Sequence, residues 1–579
     1  MGKLLKRIYD MSKKHLKLII ITSLLAILIN IGEISRPKII EIIIDDFLDK
    51  GIWDNGKITI IGLGIIYIGI VLFEYGLDFF VTVLTNIIGD NIVYEIRNKI
   101  FKFSQKANIS FHDKTSSGKL YVRIINDAED VYCLFTDVFS TFLKDLVLVV
   151  AIIGIMIYMN AKLSLMAFVV IPLLILTIVI FMKILNKIYD KTKTIRTLQN
   201  SFFAESIYGI KLIKIFNIQR EKQKECENFT KDLKNAKLPA SVIYGLIPVT
   251  MSFFENLAIA IIFVVAMNHV LNINLEVGVI YVFVTYIKTL VAPIERIIEN
   301  VDVLEDAVSS INKIYEILEQ EDYLEEFESG KHLDNVKGKI EFKNVWFAYE
   351  KENWVLRDVS FTIEPGETIA LVGKTGSGKT TITNLINRFY DIQKGEILLD
   401  GVNIKEINKK DLRNRIGTIL QDPFLFAKSI KDNIKLNREI SDEKINQAID
   451  DASAKEFIQS LPNGVDEISK ERGDSYSVGQ KQLLAFSRIF ALNPDIFILD
   501  EATANIDTYT ESLIQKSIDK LSKAKTAIII AHRLSTIVNV DKIVVLENGK
   551  IVEQGNHKDL VENGGYYSKL YNAYYESLG

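Results

Sequence analysis

At 579 residues the chain is too long for a single hydrophobic core, so at least two domains are expected. A formal net charge of −4 over that length gives no electrostatic reason for a nucleic-acid partner. The two cysteines, Cys133 and Cys226, lie far apart and without metal-ligand spacing, which excludes a disulfide framework and a cysteine zinc site.

Hydrophobic residues make up 49% of the chain, and residues 1–310 hold them as long apolar runs. A helix needs roughly 20 mostly apolar residues to cross a bilayer. Six runs qualify: about Leu16 to Ile40, Ile58 to Ile88, Leu143 to Met159, Leu163 to Leu185, Ala240 to Met267 and Val277 to Ile298. A tight turn at Asn160-Ala161-Lys162 separates the third from the fourth. Lys3, Lys6, Arg7, Lys13, Lys14 and Lys17 stand before or at the start of the first run. No small-residue cleavage site follows them and further spans do, so this is not a secretory signal. The basic start places the N-terminus in the cytoplasm, and the acidic loop Asp45 to Asp54 faces outward. Six crossings return the chain to the cytoplasm of a cell (plasma) membrane protein, with lipid as its surroundings. The inward stretches 89–140 and 186–238 are long and charged, so the helices are expected to continue past the bilayer as amphipathic stalks. The first stretch turns around Phe111 to Thr115 and Gly118 to Leu120, and in the second Ala204 to Lys211 reads as helix-like with an apolar stripe. Glu33, Arg36, Lys38, Glu74, Asp78, Glu255 and Lys288 interrupt apolar runs. A charge in lipid is costly, so these residues pair with one another, line a wet pathway or sit nearer the interface.

The boundary falls in the acidic segment 319–338, which gives a membrane domain over 1–318 and a soluble domain over 339–579. Strands are expected at Lys339 to Tyr349, Val355 to Ile363, Thr368 to Val372, Glu396 to Leu399, Ile416 to Leu420, Asp495 to Leu499 and Ala527 to Ala531. A hairpin follows at Lys542 to Glu553, and 423–490 reads as mostly helical. Between an apolar strand and a helix stands Gly373-Lys374-Thr375-Gly376-Ser377-Gly378-Lys379-Thr380-Thr381, which fits the phosphate-binding loop G-x-x-x-x-G-K-[ST]. Its glycines let backbone amides approach an anion at a helix N-terminus. Lys379 supplies charge for β- and γ-phosphates and Thr380 a hydroxyl for Mg²⁺. Three other strands end in polar residues, namely Gln421, Asp500-Glu501 and His532. Ligands of open α/β sheets bind beyond the strands' carboxyl ends, so all three converge on the loop. Asp500 and Gln421 can then serve Mg²⁺, Glu501 the attacking water, and His532 the γ-phosphate.

With these residues placed, Tyr476-Ser477-Val478-Gly479-Gln480 shortly before Asp500-Glu501 resembles the L-S-G-G-Q signature of ABC transporters. Glu471-Arg472-Gly473 is similar to the loop by which exporters of that family touch their membrane domain, and Tyr349 to the aromatic residue that stacks on adenine. The inward segments Phe111–Asp127 and Ala204–Asn217 look like its coupling regions. The resemblance implies a half-transporter of the exporter type: an all-α six-helix transmembrane domain followed by an α/β P-loop ATPase with a helical subdomain. It further implies ATP and Mg²⁺ as cofactors and a second half-transporter as partner, with Ser477, Gly479 and Gln480 acting on the partner's nucleotide. The function implied is ATP-driven export of amphipathic small molecules; lipid or peptide export and a signalling membrane ATPase are the alternatives.

Two departures stand out. In the signature Tyr476 replaces the leucine and Val478 the first glycine, and as a β-branched residue Val478 disfavours positive φ and adds bulk. Ala504-Asn505-Ile506-Asp507 differs from the usual S-A-L-D. With Glu501 and His532 intact, the expectation is one subunit of a heterodimer, a homodimer being the alternative.

Overall fold

The computed structural model describes residues 2–49, 59–267, 276–320, 329–333, 335–350, 352–500, 506–523, 525–530 and 537–576. Two compact units emerge: residues 1–105 with 117–321, and residues 106–116 with 322–579.

In the first unit the described residues form six helices long and apolar enough to cross a membrane. They are Gly2–Leu48, Ile60–Lys106, Ser117–Met159, Ala161–Tyr208, Gln219–Ala266 and Val277–Leu318. At 42 to 48 residues each, they exceed the bilayer's need, as the stalk expectation requires. The turn between the third and fourth helices is set by Asn160, whose extended backbone (φ −156°, ψ 96°) stops one helix while its side chain caps the next by accepting from the Leu163 N–H. Inside, Leu148, Ile152 and Met156 of the third helix pack with Ile262 of the fifth and Val282, Phe283 and Tyr286 of the sixth. Outside, Ile65, Leu72, Phe73 and Phe79 of the second helix stand exposed, an apolar face suited to lipid.

Several charges inside the apolar runs pair. Arg36 meets Glu74 at 3.1 Å, Asp78 meets Lys144 at 3.3 Å, and Lys38 meets Glu41 one turn on. Asp145, 1% exposed, takes a two-pronged contact from Arg296 at 2.6 and 2.9 Å. Such a forked contact on a buried carboxylate fixes the third helix against the sixth. Glu33, Glu255 and Lys288 have no ion pair among the described residues.

Among the described residues the second unit holds two sheets. An antiparallel sheet runs in the order β2-β1-β4-β5, from β1 (Ile340–Phe347), β2 (Leu356–Ile363), β4 (Lys394–Leu399) and β5 (Val402–Asn403). A six-stranded sheet runs β10-β9-β3-β8-β7-β6. Its members are β3 (Thr368–Val372), β6 (Ile416–Ile419), β7 (Ile496–Asp500), β8 (Thr526–Ile530), β9 (Lys542–Glu547) and β10 (Lys550–Gly555). Strands β3, β6, β7, β8 and β9 are parallel, and β10 closes the edge as an antiparallel hairpin. Every residue of β3 and β8 is buried, which explains their unbroken apolar runs.

In one respect the units differ from the expected domains. Lys106–Ser116, read as part of the membrane half, belongs to the second unit. Its short helix Ile109–Lys114 is capped by Asn108 and buries Phe111, and the Tyr390 hydroxyl donates to Asp113. Burial and that bond to a carboxylate push the Tyr390 phenol well above its usual range.

Candidate nucleotide site

The phosphate loop leaves β3 at Val372 and enters the helix Lys379–Ile386. Two glycines are dictated by space. A Cβ on Gly373 would lie 2.3 Å from the Leu546 carbonyl oxygen, and one on Gly378 would meet Leu356 Cδ2 at 2.6 Å where φ is +106°. Lys374, Thr375 and Gly376 are exposed at the rim. Lys379 is 6% exposed, and its ammonium is held by the carbonyls of Gly373 at 2.6 Å and Lys374 at 3.1 Å. The cation therefore lies within the ring of the loop. The buried Ser377 hydroxyl has no partner among the described residues. Thr380 is exposed, whereas Thr381 is buried and shares a 3.2 Å hydrogen bond with the Tyr349 hydroxyl. Tyr349 itself is 42% exposed beside the loop, an open ring face of the kind a purine stacks on. A caged ammonium, an orphaned hydroxyl and a glycine cradle fit a nucleoside triphosphate and its Mg²⁺.

Strand register places the remaining polar ends. Leu371 pairs with Ile530, Ile530 with Asp500, and Leu499 with Ile419. The carboxyl ends of β3, β8, β7 and β6 are thus level, with neighbours about 4.8 Å apart. Asp500 ends β7 two strands from the phosphate loop, and Gln421 follows β6. Glu501 and His532 lie outside the described residues, as do Ala504 and Asn505. Asp507 caps the helix Thr508–Ser522 by accepting from the Thr510 N–H at 2.9 Å. That bond holds its carboxyl below the usual range.

Several residues that set this geometry carry no motif. Gln482, 1% exposed, donates to the Gln421 carbonyl at 2.9 Å and so tethers the loop after β6 to the helix Val478–Leu492. Asn433 accepts from the Phe426 N–H and donates to the Phe426 carbonyl, both at 2.9 Å. Arg488 binds the carbonyl of Asn433 at 2.7 Å, and burial draws its guanidinium down to about 10. A polar residue on a helix's apolar face was the available signal for Gln482.

The signature segment is ordered differently from the expectation. Ser477 caps the helix Val478–Leu492: its hydroxyl accepts from the Gln480 N–H at 3.2 Å, and the Gln480 side chain accepts from the Ser477 N–H at 2.9 Å. Gln480 is therefore part of a reciprocal cap. Gly479 is buried, and a Cβ there would meet Thr510 Cγ2 at 2.5 Å. Its smallness serves helix packing. Val478 is the first helical residue and lacks positive φ, so the backbone objection to valine does not hold; only its bulk remains. Tyr476, buried edge-on against Phe457, fills the core of the helical part.

Comparison with known proteins fits this arrangement. Residues 19–294 match the model of the ABC transporter transmembrane region, and residues 356–504 that of the ABC transporter ATPase family, described simply as "ABC transporter". The chain is 36% identical to the "Probable multidrug resistance ABC transporter ATP-binding/permease protein YheH" of Bacillus subtilis, over 86% of this chain and 74% of that protein. It is 33% identical to the "Uncharacterized ABC transporter ATP-binding protein YfiC" of the same organism, over 99% and 94%. A bacterial Atm1-family ABC exporter with ATP bound superimposes with a TM-score of 0.77 at 24% identity, covering 97% of this chain and 98% of that one.

Proposed function

Because this chain belongs to the ABC transporter family, as an integral membrane half-transporter with its ATPase fused behind six spanning helices, we propose that it exports amphipathic small molecules at the expense of ATP. The supporting observation is the level alignment of four strand ends around one phosphate loop, on the same chain as the six apolar helices. The name of the relative YheH supports the multidrug class.

In this reading Gly373 to Thr381 hold the triphosphate and Tyr349 the base. Mg²⁺, held by Thr380 and Gln421 with Asp500 behind, would supply neutralisation of phosphate charge. Glu501 orients and deprotonates the attacking water, and His532 steadies the γ-phosphate. Closure of two nucleotide domains turns the membrane halves outward, and hydrolysis resets them. The N-terminus and the ATPase domain lie in the cytoplasm of the cell membrane.

The partner is a second half-transporter, and a different chain accounts best for Val478. This chain's own site then hydrolyses ATP, completed by a partner with an ordinary signature, while the site that receives Val478 turns over poorly. Uptake of a cationic dye into inverted membrane vesicles tests the function. It should require ATP and vanish in Glu501→Gln; ATP-independent uptake, or full uptake in that variant, refutes export driven by this site. Purified chain forming dimers with full drug-stimulated ATPase would refute the heterodimer.

A further inference from the structure

A cavity of about 650 Å³ opens among the cytoplasmic stretches of the fourth, fifth and sixth helices, within the size range of small-ligand sites. At its membrane-side end the Tyr189 and Tyr244 hydroxyls share a hydrogen bond, and Tyr244 donates on to Asp302 at 3.3 Å. Beyond this cluster the walls carry opposite charge. The sixth helix presents Asp302, Glu305 and Asp306, while the fourth and fifth present Lys193, Arg196 and Lys237. Asp190 sits beside Tyr189, at the tyrosine end. No ion pair joins the two walls among the described residues. Charges of both signs face one space without neutralising each other. A second observation points the same way. Thr192 lines the cavity at 5% exposure, and its hydroxyl has no partner among the described residues. On the membrane side, Leu185, Ile247 and Met251 continue the same helices as an apolar cluster.

We propose that this cavity binds a zwitterionic amphiphile. Its ammonium lies against the carboxylates of the sixth helix, and its phosphate or carboxylate against the cations of the fourth and fifth. Its apolar part runs toward Leu185 and Met251. A cation alone leaves Lys193, Arg196 and Lys237 unmatched, and an anion alone leaves the acidic wall unmatched. The inference rests on the exporter reading and narrows its substrate class.

The test uses the full chain in nanodiscs of anionic lipid, with equilibrium binding of three labelled probes of equal chain length: dodecylphosphocholine, dodecyltrimethylammonium and dodecyl phosphate. The zwitterion should bind about tenfold more tightly than either single-sign probe. Glu305→Gln with Asp306→Asn should erase its advantage over the anion, and Lys193→Gln with Arg196→Gln its advantage over the cation. Competition by chainless phosphocholine would identify a soluble ligand, and competition only by zwitterionic lipid would identify a headgroup; either agrees with the proposal. Equal binding of all three probes, or insensitivity to both double variants, overturns it. So does recovery of wild-type ATPase, without recovery of probe binding, when both walls are exchanged in sign, because the walls then pair with each other. Loss of ATPase in Lys379→Ala reports on the exporter reading independently of these outcomes.

Discussion

Replacing Gln482 by methionine separates fold from catalysis. The side chain is 1% exposed and nearly isosteric with methionine, so the cavity term is small. The variant loses the 2.9 Å bond to the Gln421 carbonyl and a weaker 3.4 Å contact to that of Leu420. That loss costs about 1 kcal/mol, because Gln421 is exposed and its carbonyl can turn to water. Against it stands the buried Gln482 Oε1, which has no partner among the described residues. Removing such an orphan returns about 1–3 kcal/mol. The two terms leave a net gain of about 0–2 kcal/mol, so the midpoint of thermal unfolding should stay unchanged or rise by up to about 8 °C. The catalytic effect has no such offset. Gln421 loses its tether to the helix, and a misplacement near 1 Å costs up to about 10²-fold in rate. ATPase kcat of the detergent-purified transporter, this chain together with its partner half-transporter, should fall at least about tenfold at saturating Mg-ATP, with KM little changed, because the phosphate loop is untouched. A fall in activity that only tracks a large loss of stability would refute the reasoning, and so would unchanged turnover.

Other outcomes follow from single contacts. Lys379→Ala removes the cation that the loop carbonyls enclose; a fluorescent ATP analogue should bind at least about tenfold more weakly and hydrolysis should fall to background. Tyr476→Phe keeps the edge contact to Phe457 and deletes a buried hydroxyl without a partner among the described residues, so unfolding stability should rise by about 1 kcal/mol. Asp507→Asn keeps a capping oxygen but no titration. The wild-type carboxyl is lowered from 3.8, so its stabilisation is complete above that pH and is lost as pH falls through the lowered value. The wild-type advantage in thermal midpoint over Asp507→Asn should be constant at neutral pH and shrink below pH 3.8.

Much of the second unit was legible because parallel strands buried on both faces are unbroken apolar runs that end where the chain meets water. Thr368 to Val372 is such a run, and its bounds agree with the sequence reading. The six apolar helices were legible for the same reason of length. What depends on distant partners was not. Lys144 and Asp145 stand at the start of an apolar run, and nothing nearby in sequence reveals Asp78 or Arg296 as their partners. Asp113 reads as an ordinary loop carboxylate until Tyr390, far along the chain, is beside it. β5 has only two residues, too few to carry a period.

The signature segment shows why a motif must be read through its geometry. Its two glycine positions are not equivalent. The inward one, Gly479, faces the helix Thr508–Ser522, and a methyl group there would collide with Thr510. The outward one is Val478, 40% exposed at the first turn. In that conformation β-branching costs only a few tenths of a kcal/mol. Ser477 satisfies the Gln480 N–H, but the amides of Val478 and Gly479 have no acceptor within the helix, which is where an anion is drawn. The valine therefore leaves this domain's own fold intact and changes only the exposed surface at the start of the helix Val478–Leu492. If, as proposed, that surface completes the site of a second half-transporter, the substitution penalises the site this chain completes and spares the site it carries, an inequality that a pair of different subunits tolerates and a pair of identical ones repeats at both sites.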